Sequence, residues 1–215
     1  MADNTETHQL PPLELEQHQV REALRCLLHT ILFNRALGPV RPVEVEAELL
    51  DLSYVRVHDE EVVAAVELSM NELCGQLERS AGRGAEAQVR LAFYEKRQGS
   101  STWFGGQANC FWEQWFINLA VMSHEAMLLR ASTMPGTTLA EGGQPPVSSR
   151  VTEVLSCITR ALSERREHCP PVVSSAAVSY PWEVSVTHPR EGRGAFSLGG
   201  MKRMLMQTTP PRMLS

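Results

Sequence analysis

Few residues in this chain have types and spacings that could do chemistry by themselves. The seven histidines stand at 8, 18, 29, 58, 124, 168 and 188. They form no H-x-x-x-H pair, and only His168-Cys169 sets a histidine beside a cysteine. A metal ion needs imidazole, thiolate or carboxylate donors converging on one point. Adjacent residues face apart on most backbones, so the spacing points to no metal site. There is no G-x-S-x-G elbow to raise a serine nucleophile. Gly82-Arg83-Gly84 and Gly192-Arg193-Gly194 lack the lysine and following hydroxyl that hold phosphate and magnesium. Carboxylates sit mainly at helix starts and in amphipathic alternation, where solvation accounts for them. No catalytic residue, metal or cofactor is implied.

Two other places stand out. His29, in LLHTI, lies beside an apolar stripe near the middle of a helical pattern. It reads as a boundary histidine, with a place in a protein–protein contact as the alternative. The second is Gly99-Ser100-Ser101-Thr102-Trp103-Phe104-Gly105-Gly106. Two large aromatics flanked by Gly and Ser gain little packing or stiffness from their neighbours. Left exposed, such a pair is an unfavourable surface unless a partner covers it, and Trp is the type most enriched at binding hot spots. The opposing reading folds the loop back and buries both rings.

The helices and strands around these residues follow from periodicity. Leu13–Glu16 alternates apolar and charged, a short half-buried strand. Val20, Leu24, Leu27, Leu28, Ile31 and Leu32 recur at helical spacing, predicting a helix over 17–35 that Gly38-Pro39 stops. Residues 43–57, ending LLDLSYVRV, are rich in β-formers and read as strand. Asp59-Glu60-Glu61 opens a second helix, its carboxylates suited to the positive end of the helix dipole. That helix has Val62, Val66, Met70, Leu73 and Leu77 on its core face. Alternation over 88–97 and 111–121 predicts two antiparallel arms with a long tip over 98–110. Hairpin loops usually span two to five residues, and one this long is typical of a functional loop. Residues 131–149 read as a flexible insertion. A third helix is expected over 150–167, ended by Pro170-Pro171, then a strand over 180–187. Phe196, Met201, Met204 and Leu205 suggest a short helix in the tail. The expected fold is α+β: three long helices packed on an antiparallel sheet, with a protruding loop.

With 215 residues, the chain is one large domain or two very small ones; 43% hydrophobic and 21% charged residues exclude global disorder. A net charge of −5 supplies no field for phosphate backbones, so no nucleic-acid partner is expected. The N-terminal MADNTETHQLPP lacks the apolar stretch of a secretory signal. No apolar run is long enough for a transmembrane helix. Five scattered cysteines, Cys26, Cys74, Cys110, Cys157 and Cys169, read as reduced thiols. The expected compartment is the cytoplasm.

In order, QVREALRCLLHTILFNR, LLDLSYVRV with an acidic helix start, LAFYEKR, a Trp-Phe tip and FWEQWFINLAV resemble the autophagy-related protein 101 family. The likeness resumes more weakly at YPWEVSVT and MKRMLMQTT. These are single-domain HORMA proteins of the autophagy-initiation kinase complex. The resemblance implies a non-enzymatic adaptor that pairs with and stabilises the HORMA domain of autophagy-related protein 13. It implies a protruding Trp-Phe finger that recruits downstream factors at the phagophore assembly site. The finger falls on Trp103 and Phe104, without the proline that family members often carry between the aromatics. Leu28, His29 and Arg35 are placed near the pairing surface. The resemblance sets a HORMA domain over 12–209, with tails at 1–11 and 210–215.

Two rivals remain. One is an enzyme with an unrecognised Cys–His or carboxylate pair, which would need Cys26, Cys74 or Cys157 in a convergent pocket. The other keeps the HORMA fold but clasps a partner peptide by strand addition under the segment after Glu167. A peripheral membrane contact of the Trp-Phe tip also stays open, since Trp favours the headgroup interface.

Overall fold

Helix α1 (Gln17–Asn34) is the element around which the others are arranged. Val20, Ala23, Leu24, Cys26, Leu27, Leu28, Ile31 and Leu32 are all buried, a wider apolar face than a surface helix presents. Gln19 Oε1 accepts the Glu16 N–H at its start. At its end the Arg35 N–H bonds back to Ile31 O and Leu32 O. The computed structural model describes residues 5–80, 85–98, 107–127, 146–164, 166–171 and 179–187.

The remaining elements are β1 (Glu6–Gln9), β2 (Leu13–Glu16), β3 (Pro42–Ala47), β4 (Leu52–Val57), α2 (Glu60–Ser80), β5 (Ala85–Gln98), β6 (Gln107–Met122), α3 (Val147–Glu164) and β7 (Trp182–Thr187). The three long helices and the strands make the α+β architecture expected. The sheet, in order β1-β6-β5-β7 with β2 also on β6, is mixed and not wholly antiparallel. β5 pairs antiparallel with β6 and β7, whereas β1 and β2 run parallel to β6.

Residues 6–9, expected in a flexible tail, are a strand. They escaped notice because ETHQ is polar, with only His8 buried. β1 and β2 form one edge interrupted at Pro11-Pro12, which have no N–H for a ladder. Leu10 N–H still reaches Phe116 O at 3.0 Å, and Asn118 Nδ2 donates to Leu10 O at 3.0 Å.

The expected single strand over 43–57 is two, paired antiparallel from Pro42↔Val57 to Ala47↔Leu52. A 3-10 turn at Glu48–Leu50 and Asp51, with φ of +51°, reverse the chain. Asp is one of the few residues that tolerates this left-handed region. In α2, Asp59 Oδ1 accepts the N–H groups of Glu61 (2.9 Å) and Val62 (3.0 Å). Val62, Val66, Met70 and Leu73 are buried as expected, while the Leu77 side chain lies outside the described ones. Helix α3 begins at Val147, so 147–149 of the expected insertion are helical. Residues 131–145 and 188–215, the latter with the expected tail helix, lie outside the described residues. Among the described residues, no helix is long and apolar enough to cross a membrane.

Alternation puts Ala87, Val89, Leu91 and Phe93 of β5 and Trp115, Ile117, Leu119 and Val121 of β6 into the core. The opposite face is polar. There Arg90 donates to Gln114 Oε1 (2.9 Å) and Glu183 Oε1 (3.0 Å), and Gln88 Nε2 donates to Asn118 Oδ1 (2.8 Å).

Candidate functional site

The β5–β6 ladder runs from Ala85↔Val121 to Gln98↔Gln107. Its neighbours stop earlier. β7 pairs with β5 only up to Phe93, and β1 with β6 only down to Glu113. Their last contacts are Pro181 O with the Tyr94 N–H and Thr5 Oγ1 with Phe111 O. Beyond these, among the described residues, the rungs Glu95↔Cys110, Lys96↔Asn109, Arg97↔Ala108 and Gln98↔Gln107 join the two arms alone. Four rungs extend this two-stranded ribbon about 14 Å past the sheet. Of the loop expected over 98–110, residues 98 and 107–110 are strand. Trp103 and Phe104 lie outside the described residues.

The root of the ribbon is built from sequence-distant parts. The register shifts between Phe93 and Tyr94, leaving Trp112 as an extra residue opposite them. Such a bulge lets neighbouring side chains face one way, and Trp112 and Glu113 are both buried. Arg35, just past α1, grips Glu113 in a bidentate pair, Nε to Oε2 and Nη2 to Oε1, both at 2.7 Å. His8 Nε2 from β1 and His168 Nε2 from the segment after α3 lie 3.3 and 3.4 Å from Glu113 Oε1. His8 stacks on Trp115 at 4.0 Å between centroids. Trp112 meets Phe93, His168 and Tyr180 at 5.4, 5.8 and 4.9 Å. The Tyr180 hydroxyl donates to Pro170 O at 2.8 Å.

Burial pushes the Glu113 carboxyl up, but the bidentate Arg35 contact, with the His8 and His168 imidazoles close to Oε1, outweighs it. The net result holds the group at about 2. Arg35 is raised in turn, the Glu113 contact overcoming its own burial. The arrangement is a fixed ion pair in an aromatic shell, suited to holding the ribbon root rigid.

The residues expected near a pairing surface are interior. Leu28 is 0%, His29 2% and Arg35 4% exposed. Leu28 belongs to the core cluster, and His29 stacks on Tyr54 at 6.1 Å. Burial, with Arg56 nearby, lowers His29 to about 4. Of the three, only Arg35 enters the ribbon root. Periodicity set Trp115 on the apolar face of its strand, but singled out none of His8, Trp112 and Glu113, and His168 stood out only for its neighbour. Cys26, Cys74 and Cys157 sit on α1, α2 and α3 respectively. Burial raises the Cys26 thiol to about 12, the reverse of an activated nucleophile. Cys26 is thereby a poor candidate nucleophile for the enzyme rival.

Residues 12–176 match the family model described as Autophagy-related protein 101. The protein of that name from Arabidopsis thaliana is 32% identical over 218 residues, covering 96% of this chain and 98% of its own. The Homo sapiens protein is 30% identical over 124 residues, 52% of this chain and 56% of its own. The Schizosaccharomyces pombe protein is 24% identical over 198 residues, 91% and 92% of the two chains. A family match across most of the chain, with a relative similar along nearly its whole length, shows that this chain belongs to the autophagy-related protein 101 family and has a role in autophagy.

Proposed function

We propose that this chain is a non-enzymatic scaffold of the autophagy-initiation kinase complex. Its HORMA domain pairs with and stabilises the HORMA domain of autophagy-related protein 13. Trp103 and Phe104 form an exposed finger that recruits downstream autophagy factors in the cytoplasm, at the phagophore assembly site. The observation that carries this reading is the ribbon. Two arms leave the sheet for four rungs, and the eight residues between their ends contain both aromatics. Such a mount supports presentation of the pair away from the core. A scaffold of this kind needs no cofactor. Leu28, His29 and Arg35 serve the pairing surface from inside, by holding α1 in place.

Co-expression with the HORMA domain of autophagy-related protein 13, followed by gel filtration at micromolar concentration, tests the pairing. A single peak holding both chains in equal amounts is expected. Strictly monomeric elution of both would overturn it.

A further inference from the structure

Glu113 Oε1 has three nitrogens around it: Arg35 Nη2 at 2.7 Å, His8 Nε2 at 3.3 Å and His168 Nε2 at 3.4 Å. A carboxylate oxygen offers about two lone-pair sites, so three donors overfill it. Both imidazole nitrogens are shut away from solvent without hydrogen-bond geometry to any partner. His8 is only 9% exposed, and its ring is fixed against Trp115. Two enclosed nitrogens aimed at one oxygen, and satisfied by none, suit a cation placed between all three.

We propose that His8 Nε2, His168 Nε2 and Glu113 Oε1 bind a zinc ion. The three ligand atoms lie within 4.8 Å of one another. Zinc bonds of about 2.0–2.1 Å give a tetrahedron with edges of about 3.3–3.4 Å, which the two nitrogen–oxygen separations already match. Closing the third edge takes a ring movement of about 1.5 Å or less. Two imidazoles and one carboxylate favour zinc over calcium or magnesium, which take oxygen ligands. Arg35 orients the carboxylate, as supporting groups do around metals. It also offsets the Glu113 charge, which leaves the ion's own charge largely unneutralised and weakens its binding. The ion would tie β1, β6 and the segment after α3 together at the foot of the ribbon.

The test is calorimetric titration of the full, tag-free chain with zinc chloride, with thermal melts in zinc and in chelator. One equivalent should bind, and saturating zinc should raise the melting temperature by several degrees. His8→Gln and His168→Gln should each weaken binding about tenfold or more. His124→Ala, which removes an exposed imidazole beside Glu16, should change nothing. Absence of saturable binding below millimolar zinc would overturn the proposal, as would binding that survives both glutamine variants. Should those variants misfold, X-ray absorption on the zinc-loaded unmodified chain decides. Two imidazoles with oxygen ligands are expected, and a sulfur ligand would overturn the site.

Discussion

The two ends of the β5–β6 ribbon are built on opposite principles. At the root, Glu113 is 0% exposed and tied through Arg35 to the end of α1, with strands pairing on both sides. At the far end, Glu95–Gln98 and Gln107–Cys110 pair with each other and, among the described strands, with no third one. A short isolated two-stranded ribbon is marginally stable in water, so its position depends on how firmly the root is held. Stability should therefore be concentrated at the root, and substitution toward the tip should become steadily cheaper.

The largest expected effect breaks the root. Glu113→Ala leaves the Arg35 guanidinium buried without its counter-charge, which costs about 3–5 kcal/mol. The double change Arg35→Met with Glu113→Leu should recover most of that, since an apolar pair of similar volume often replaces a buried ion pair without loss. Urea unfolding measures both. A single-variant loss below about 1 kcal/mol would mean that solvent reaches the pair.

His29, elsewhere on α1, sharpens the contrast between a buried charged group and a buried neutral one. Burial comes first among the causes that lower it to about 4, with Arg56 and Arg25 adding and Glu67 opposing. As pH falls through the ordinary value of 6.5, the unfolded chain takes up this proton and the folded chain does not. Stability present above pH 6.5 is lost progressively down to about pH 4, by up to ~3 kcal/mol. Comparing melts of the native chain and His29→Gln at pH 7 and pH 4.5 isolates the effect. Equal losses in both would refute it.

A smaller effect belongs where root passes into ribbon. Tyr94 meets Phe111 edge-on at 5.8 Å, and Arg90 lies over the Phe111 ring at 4.6 Å. Tyr94→Ala should cost about 1 kcal/mol, well under the Glu113 variant. A loss equal to that variant's would place the pair in the core and erase the gradient.

The same division explains what the sequence could disclose. Helices α1, α2 and α3 carry their signals locally: apolar spacing, Asp59 as cap, carboxylates in the first turn of α2. Their buried residues, such as Leu24, Met70 and Ile158, could be read in advance. The root could not. His8, Glu113 and His168 lie more than fifty residues apart from one another, and only strand pairing brings them together. β1 has too few apolar residues to show alternation, and the β3–β4 turn uses Asp51 where a glycine would have announced it. The resemblance sets Leu28, His29 and Arg35 near a pairing surface, and helical spacing alone tells which face they share, not what covers it. Here α1 is covered on most of its circumference.

At the tip, Trp103→Ala with Phe104→Ala should have the smallest effect on folding and the largest on recruitment. Surface changes away from core and caps usually cost within about 0.5 kcal/mol, whereas emptying a packed aromatic site costs roughly 3–5 kcal/mol. The two outcomes are therefore separated by roughly ten degrees of melting temperature in a chain of this size. With an exposed finger, the double variant melts within a degree or two of the native chain. In the proposed arrangement it still co-elutes with the HORMA domain of autophagy-related protein 13 and fails to capture downstream autophagy factors. Liposome flotation then divides the targets: Trp and Phe suit the headgroup region as well as a protein groove, and a membrane-directed tip loses flotation in the double variant. A drop of ten degrees or more would show instead that the rings belong to the core, and the ribbon would then be an extension of the root and not a mount for a binding pair.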